Sequence, residues 1–128
     1  MTGKKYDRHR LFMVLTWLWL LTLTVLLLLP GRDIPSIRWG LSLPVDKVVH
    51  FLSFFLVASG FLLSMHWEEK KKRRLVFIAL LVYAVIMEYI QHAVQESRAF
   101  EKEDIFANLA GVVCAYLIYL MVGKIVKN

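Results

Sequence analysis

Four long apolar runs divide the chain, at residues 11–29, 48–67, 75–94 and 105–123. The first is nineteen residues without a charge, close to the roughly 20 that a helix needs to cross a hydrocarbon core about 30 Å thick. The other three match it in length and carry only scattered polar positions. Backbone in lipid must satisfy its own polar groups, and runs of this length do so as helices. The pattern therefore predicts an all-α integral membrane protein, a four-transmembrane-helix bundle forming a single domain over residues 1–128.

Between the runs lie a basic tail at 1–10, a loop at 30–45, a charged turn at 68–74 and a polar turn at 95–103. Pro30, Gly31, Pro35, Gly40 and Pro44 break regular structure in the long loop. Ile34, Ile37, Trp39, Leu41 and Leu43 make that loop apolar, so it is expected to lie on the membrane surface, with Trp39 at headgroup level. Thr16, Thr22 and Thr24 in the first run can bond back to their own helix. Trp17 and Trp19 sit too deep for an interfacial belt and are read as packing or lipid contacts. In the fourth run Ala107, Ala110, Gly111, Ala115 and Gly123 provide small positions for close helix approach.

Composition agrees with the pattern. Over 128 residues the apolar fraction is 59% and the mean hydropathy +0.58, above the near-half apolar usage of soluble domains. Cys114 is the single cysteine, which rules out an intrachain disulfide and leaves a small packing residue.

The net charge of +6 would suit nucleic acid, but its placement points to a membrane. Lys4, Lys5, Arg8, Arg10, Lys70, Lys71, Lys72, Arg73, Arg74, Lys124 and Lys127 fall on one side of the expected bundle. Arg32, Arg38, Lys47, Arg98 and Lys102 fall on the other. Eleven against five is the asymmetry of the positive-inside rule, so both termini are expected in the cytoplasm. The run 68–74 reads as a topological anchor, and His66 as an interface residue. The apolar stretch after Arg10 is too long for a signal h-region and ends in Leu-Pro-Gly-Arg without a small-x-small site, so an uncleaved span is expected.

Candidate chemistry concentrates at residues 88–111 and at the start of the second run. Asp46 and His50 stand four apart; Glu88, Gln91 and His92 share one helix face; Asp104, Asn108 and Gly111 share another. With alternating spans, all three stripes reach the external face, and the economical arrangement points them at one cavity. Part of this is structural. Asp46 and Asp104 suit the N-terminal ends of helices, while His92 and Arg98 suit a C-terminal end. Lys47 can snorkel to the headgroups. His50, Asn108 and Glu88 lie deeper, roughly 6–9 Å from the helix ends. A carboxylate at that depth must be protonated or paired, and Arg98 is the best nearby cation.

These motifs, D-K-V-V-H-F-L-S-F-F, E-Y-I-Q, Arg98 and E-D-I-F-A-N-L-A-G, resemble the VanZ-like family of small bacterial membrane proteins. The resemblance covers about residues 30–123 and places the family's polar signature on Asp46, Lys47, His50, Glu88, Gln91, Arg98, Asp104, Asn108 and Gly111. It implies a multi-pass protein of the bacterial cytoplasmic (inner) membrane. The family takes its name from a determinant of reduced susceptibility to teicoplanin, a lipid-tailed antibiotic acting outside that membrane. It implies no settled reaction.

Three functional readings follow. In the first, the chain is no enzyme and binds an amphiphile or lipid-linked headgroup at the external leaflet, through Asp46, Lys47, His50, Glu88, Gln91, Arg98, Asp104 and Asn108. In the second, it is an intramembrane hydrolase or transferase, with Glu88 and His50 as the acid/base pair. Asp46, His50, Glu88, His92 and Asp104 are then a conceivable ligand set, but no recognised catalytic spacing is present, and no metal or cofactor is assigned. In the third, the cluster is a polar clasp or an interface for a second copy or a membrane-protein partner.

Overall fold

The computed structural model describes residues 2–29, 45–66, 68–94 and 100–127. They form four helices: α1 (Thr2–Leu28), α2 (Val45–Leu63), α3 (Lys70–Val94) and α4 (Lys102–Lys127). Each is long and apolar enough to cross a membrane, and together they fit a multi-pass membrane protein. The loop at 30–44 with Trp39, the tryptophan at 67, and the segment 95–99 with Arg98 lie outside the described residues.

Every helix runs past its apolar stretch into charged sequence, α2 at its start through Asp46 and Lys47. Backbone hydrogen bonding continues wherever the chain can remain helical, whereas hydropathy marks only the length matched to lipid. At its C-terminal end α2 departs the other way. It was expected to reach residue 67 and ends at Leu63. Met65 N–H bonds back to Leu62 O at 3.3 Å, the tighter spacing that closes a helix, and Ser64 Oγ donates to Phe61 O at 2.7 Å. Glu69 then accepts the His66 N–H at 2.9 Å and Lys72 Nζ at 3.2 Å. Those two contacts, the backbone donor first, hold the Glu69 carboxyl below the usual carboxylate range.

Contacts between helices give their directions. Lys47, His50 and Phe51 of α2 meet Asp104, Asn108 and Gly111 of α4 in the same order, so the two helices run parallel. Helix α1 opposes α2: Trp19 Nε1 approaches Ser53 O at 3.5 Å, while Thr16 lies against Gly60 and Trp17 against Phe61. Helix α3 opposes α4, with Phe77 stacked on Tyr116 and the Arg73 guanidinium 5.4 Å from the Tyr119 ring centroid. Arg73 is 5% exposed, so this member of the basic run turns inward rather than serving as a solvated anchor.

The core gathers Phe54, Val57, Ala58, Phe61, Leu62, Leu80, Ala84, Val112 and Ala115. A broad set of large apolar side chains, including Leu11, Leu21, Leu56, Ile78, Phe106 and Leu117, faces outward. In water such a surface would aggregate; in lipid it is the ordinary exterior. Helix α1 is the most peripheral, with Thr16 and Leu23 its buried positions among the described residues. As expected, Thr16, Thr22 and Thr24 return their hydroxyls to Phe12 O, Leu18 O and Leu20 O. The Thr24 hydroxyl also reaches the Tyr83 hydroxyl of α3 at 2.6 Å.

The small face of α4 has a specific use. A Cβ on Gly111 would sit 2.3 Å from Phe51 O and 2.9 Å from Phe55 N. The obstacle is α2 backbone, which cannot rotate away. At Gly60 the corresponding obstacle is the Thr16 side chain, with Oγ1 at 2.2 Å. Gly111→Ala should therefore lower stability by about 1–3 kcal/mol, more than Gly60→Ala, in unfolding titrations of the detergent-purified protein. Equal losses would show that α2 and α4 are not locked at this crossing.

Candidate functional site

Parallel packing of α2 on α4 sets two helix N-termini side by side, and the charged residues collect there. Asp46 and Asp104 stand in the first turns, where the positive end of the helix dipole favours a carboxylate. Asp104 does more than meet its own helix end. It is fully buried and its Oδ1 holds Lys47 Nζ, which also engages Glu101 Oε2 and lies 3.6 Å from Asp46 Oδ2. Lys47 was expected to snorkel outward. Instead it turns into the bundle, because three carboxylates around one ammonium outweigh the gain from reaching headgroups.

One turn deeper, roughly 6 Å along the helix, lies His50, which is 3% exposed. Its Nδ1 is 3.0 Å from Asn108 Oδ1. An amide oxygen only accepts, so Nδ1 carries the hydrogen, and Nε2 bears the lone pair whenever the imidazole is neutral. Nε2 faces Asp46 Oδ1 at 3.7 Å and Asp104 Oδ2 at 3.9 Å. Each aspartate thus turns one oxygen to Lys47 and the other to His50.

Helix α3 closes the group. Glu88 and Gln91 are each 2% exposed, and Glu88 Oε1 accepts the Glu101 N–H at 3.5 Å. The stripes predicted on α2, α3 and α4 therefore do converge at one end of the bundle. His92 does not join them; it is exposed and its ring stands edge-on to Phe100, 5.9 Å away. Glu101 belongs to the cluster and was missed. Its signal was available, since it stands three residues before Asp104, but it precedes α4 and the polar stretch around it reads as a turn.

The cluster has a floor and a mouth. His50, Asp104, Asn108, Glu88 and Gln91 are buried, while the Asp46 and Glu101 side chains are 53% and 44% exposed. A cavity of about 390 Å³ lies at the opposite end, lined among others by His9, Arg10, Ser64, His66 and Lys72. It touches none of the predicted site residues.

A family model described as VanZ/LLP1 matches residues 9–123. The chain belongs to the VanZ/LLP1 family. The match takes in all four apolar spans and every residue of the cluster. No curated protein and no solved structure matches the chain. In this VanZ/LLP1 chain Asp46, Lys47, His50, Asp104, Asn108 and Gly111 of the resemblance motifs meet between the parallel helices α2 and α4, and Glu88 of α3 reaches Glu101 beside them.

Breaking a buried ion pair by removing one partner costs about 3–5 kcal/mol, whereas removing both is far milder. Lys47→Met should destabilise this VanZ/LLP1 protein by an amount near that range. Lys47→Met combined with Asp104→Leu should recover part of the loss. A double-mutant cycle on unfolding free energies measures the coupling; simple additivity would show that the pair is not linked.

Proposed function

We propose that this VanZ/LLP1 chain is a cell-envelope protein of the bacterial cytoplasmic membrane that binds the polar headgroup of an amphiphile or lipid-linked envelope molecule. The observation that carries this reading is the two-level cluster, a buried polar floor beneath half-exposed carboxylates, at the end of four lipid-length helices. Polar groups at that depth are costly in a membrane unless paired or used. The opposite end holds most of the Lys and Arg residues, which favours the cytoplasm for that end and both termini, and the external leaflet for the cluster. A headgroup at the mouth meets Asp46 and Glu101 first, with His50, Asn108 and Gln91 beneath and Arg98 close by in sequence. A lipid-tailed glycopeptide such as teicoplanin is one amphiphile of this kind, and changed teicoplanin susceptibility on deletion of the protein is the corresponding cellular expectation. Binding requires only complementary charge and hydrogen bonds, so no catalytic step is assigned to Glu88 or His50.

The mutual pairing of Lys47, Glu101 and Asp104 favours a second reading, a clasp that only holds the bundle together. Native mass spectrometry of the detergent-purified protein, with thermal unfolding of the same samples, separates the two. On the binding reading a lipid-range mass is retained, and Glu101→Gln or His50→Ala loses it while melting near the parent. On the clasp reading no such mass is retained, and each substitution lowers the melting temperature in step with any phenotype.

A further inference from the structure

We propose that the cavity between the start of α1 and the α2–α3 turn holds the phosphate headgroup of an anionic glycerophospholipid. The cavity measures about 390 Å³, within the roughly 300–1,000 Å³ of ordinary ligand sites. Helix α1 supplies His9, Arg10, Met13 and Val14 to its wall, and the turn supplies Ser64, His66 and Glu69. Lys72, in the first turn of α3, completes it. None of these residues belongs to the polar cluster at the other end, so the site goes beyond the headgroup reading and stands apart from it.

The wall changes character along α1. Arg10 and Lys72 are exposed, at the rim where an anion first arrives. Val14 follows Arg10 by four residues, on the same helix face and about 6 Å further into the bundle. It is 55% exposed, among the apolar side chains that face outward. A cationic rim continuous with an apolar, outward-facing wall matches a molecule that is anionic at one end and apolar beyond it. Free phosphate leaves the wall of Met13 and Val14 unused. Around the rim, Arg8, Lys70, Lys71, Arg74 and Lys124 are exposed at the same end, and juxtamembrane cations of this kind attract anionic lipid.

His9 gives the cavity a ring nitrogen without a partner. Its ring lies against that of His66, with centroids 4.4 Å apart. Its Nδ1 is buried and meets no hydrogen-bond partner among the described residues, a state that is costly for a polar group. A turn of the ring toward the cavity gives Nδ1–H a phosphate oxygen, and charged acceptors make the stronger bonds. Glu69 does not stand in the way of an anion. Its Oε1 accepts Lys72 Nζ at 3.2 Å and its Oε2 accepts the His66 N–H at 2.9 Å. The carboxylate thus positions both residues at the wall, and the Lys72 ammonium keeps two further N–H groups.

The test titrates the full chain in detergent with phosphatidylglycerol, with phosphatidylcholine of the same acyl chains, and with inorganic phosphate. Native mass spectrometry counts the bound lipid. Phosphatidylglycerol is expected to bind about tenfold tighter than phosphatidylcholine. Lys72→Gln, at an exposed position, should weaken it about fivefold. His9→Phe, which keeps a ring against His66, should weaken it about tenfold, and His9→Gln, which restores a donor, should recover part of the loss. Lys124→Gln removes a cation of the same end from outside the cavity and should change the affinity by about twofold at most. Thermal unfolding of each sample keeps a folding defect apart from a lost contact. All four variants leave the opposite cluster intact, so failure of the headgroup reading does not carry over. The proposal is overturned if phosphatidylcholine or inorganic phosphate binds as tightly as phosphatidylglycerol. It is overturned equally if both His9→Phe and Lys72→Gln bind as the parent does, or if Lys124→Gln weakens binding as much as Lys72→Gln.

Discussion

Parallel contact between α2 and α4 is the constraint from which the rest follows. The two backbones meet at Gly111, with α2 peptide groups where a side chain would otherwise stand. Parallel helices bring like ends of their dipoles together, an unfavourable pairing that anionic side chains relieve. Asp46 and Asp104 sit at those ends and Glu101 just before one of them. Their accumulated negative charge in turn draws Lys47 inward. The polar cluster is thus the electrostatic counterpart of a packing decision made about two turns deeper.

Much of this was legible in the chain itself. Four runs of lipid-crossing length foretell four helices, because in a bilayer few other backbone arrangements survive. The i, i+4 spacing of Asp46 with His50 and of Asp104 with Asn108 foretells two polar faces, and those faces meet. Gly111 announces a close approach. The family match over residues 9–123 agrees with the motifs that suggested it.

What escaped the sequence depends on partners far along the chain. The direction of the Lys47 side chain follows from Glu101 and Asp104, more than fifty residues away. Inward-turned Arg73 follows from the placement of Tyr119 on α4. His92 satisfies the same helical spacing as Gln91 to within one residue, yet one is exposed and the other buried. A rotation of 100° per residue is enough to separate core from surface, and periodicity alone does not say where the face ends.

The order of synthesis gives the parallel pairing a further meaning. His50 and Asn108 are 58 residues apart, and Lys47 and Asp104 are 57 apart. At about 5–20 residues per second, α2 is made roughly 3–12 s before its partner residues on α4 exist. During that interval a span bearing aspartate, lysine and histidine has α1 and then α3 as its completed neighbours, but not α4. Until residues 104 and 108 exist, Lys47 lacks its buried carboxylate partner and His50 the amide that holds its ring. Arrival of α4 completes the cluster.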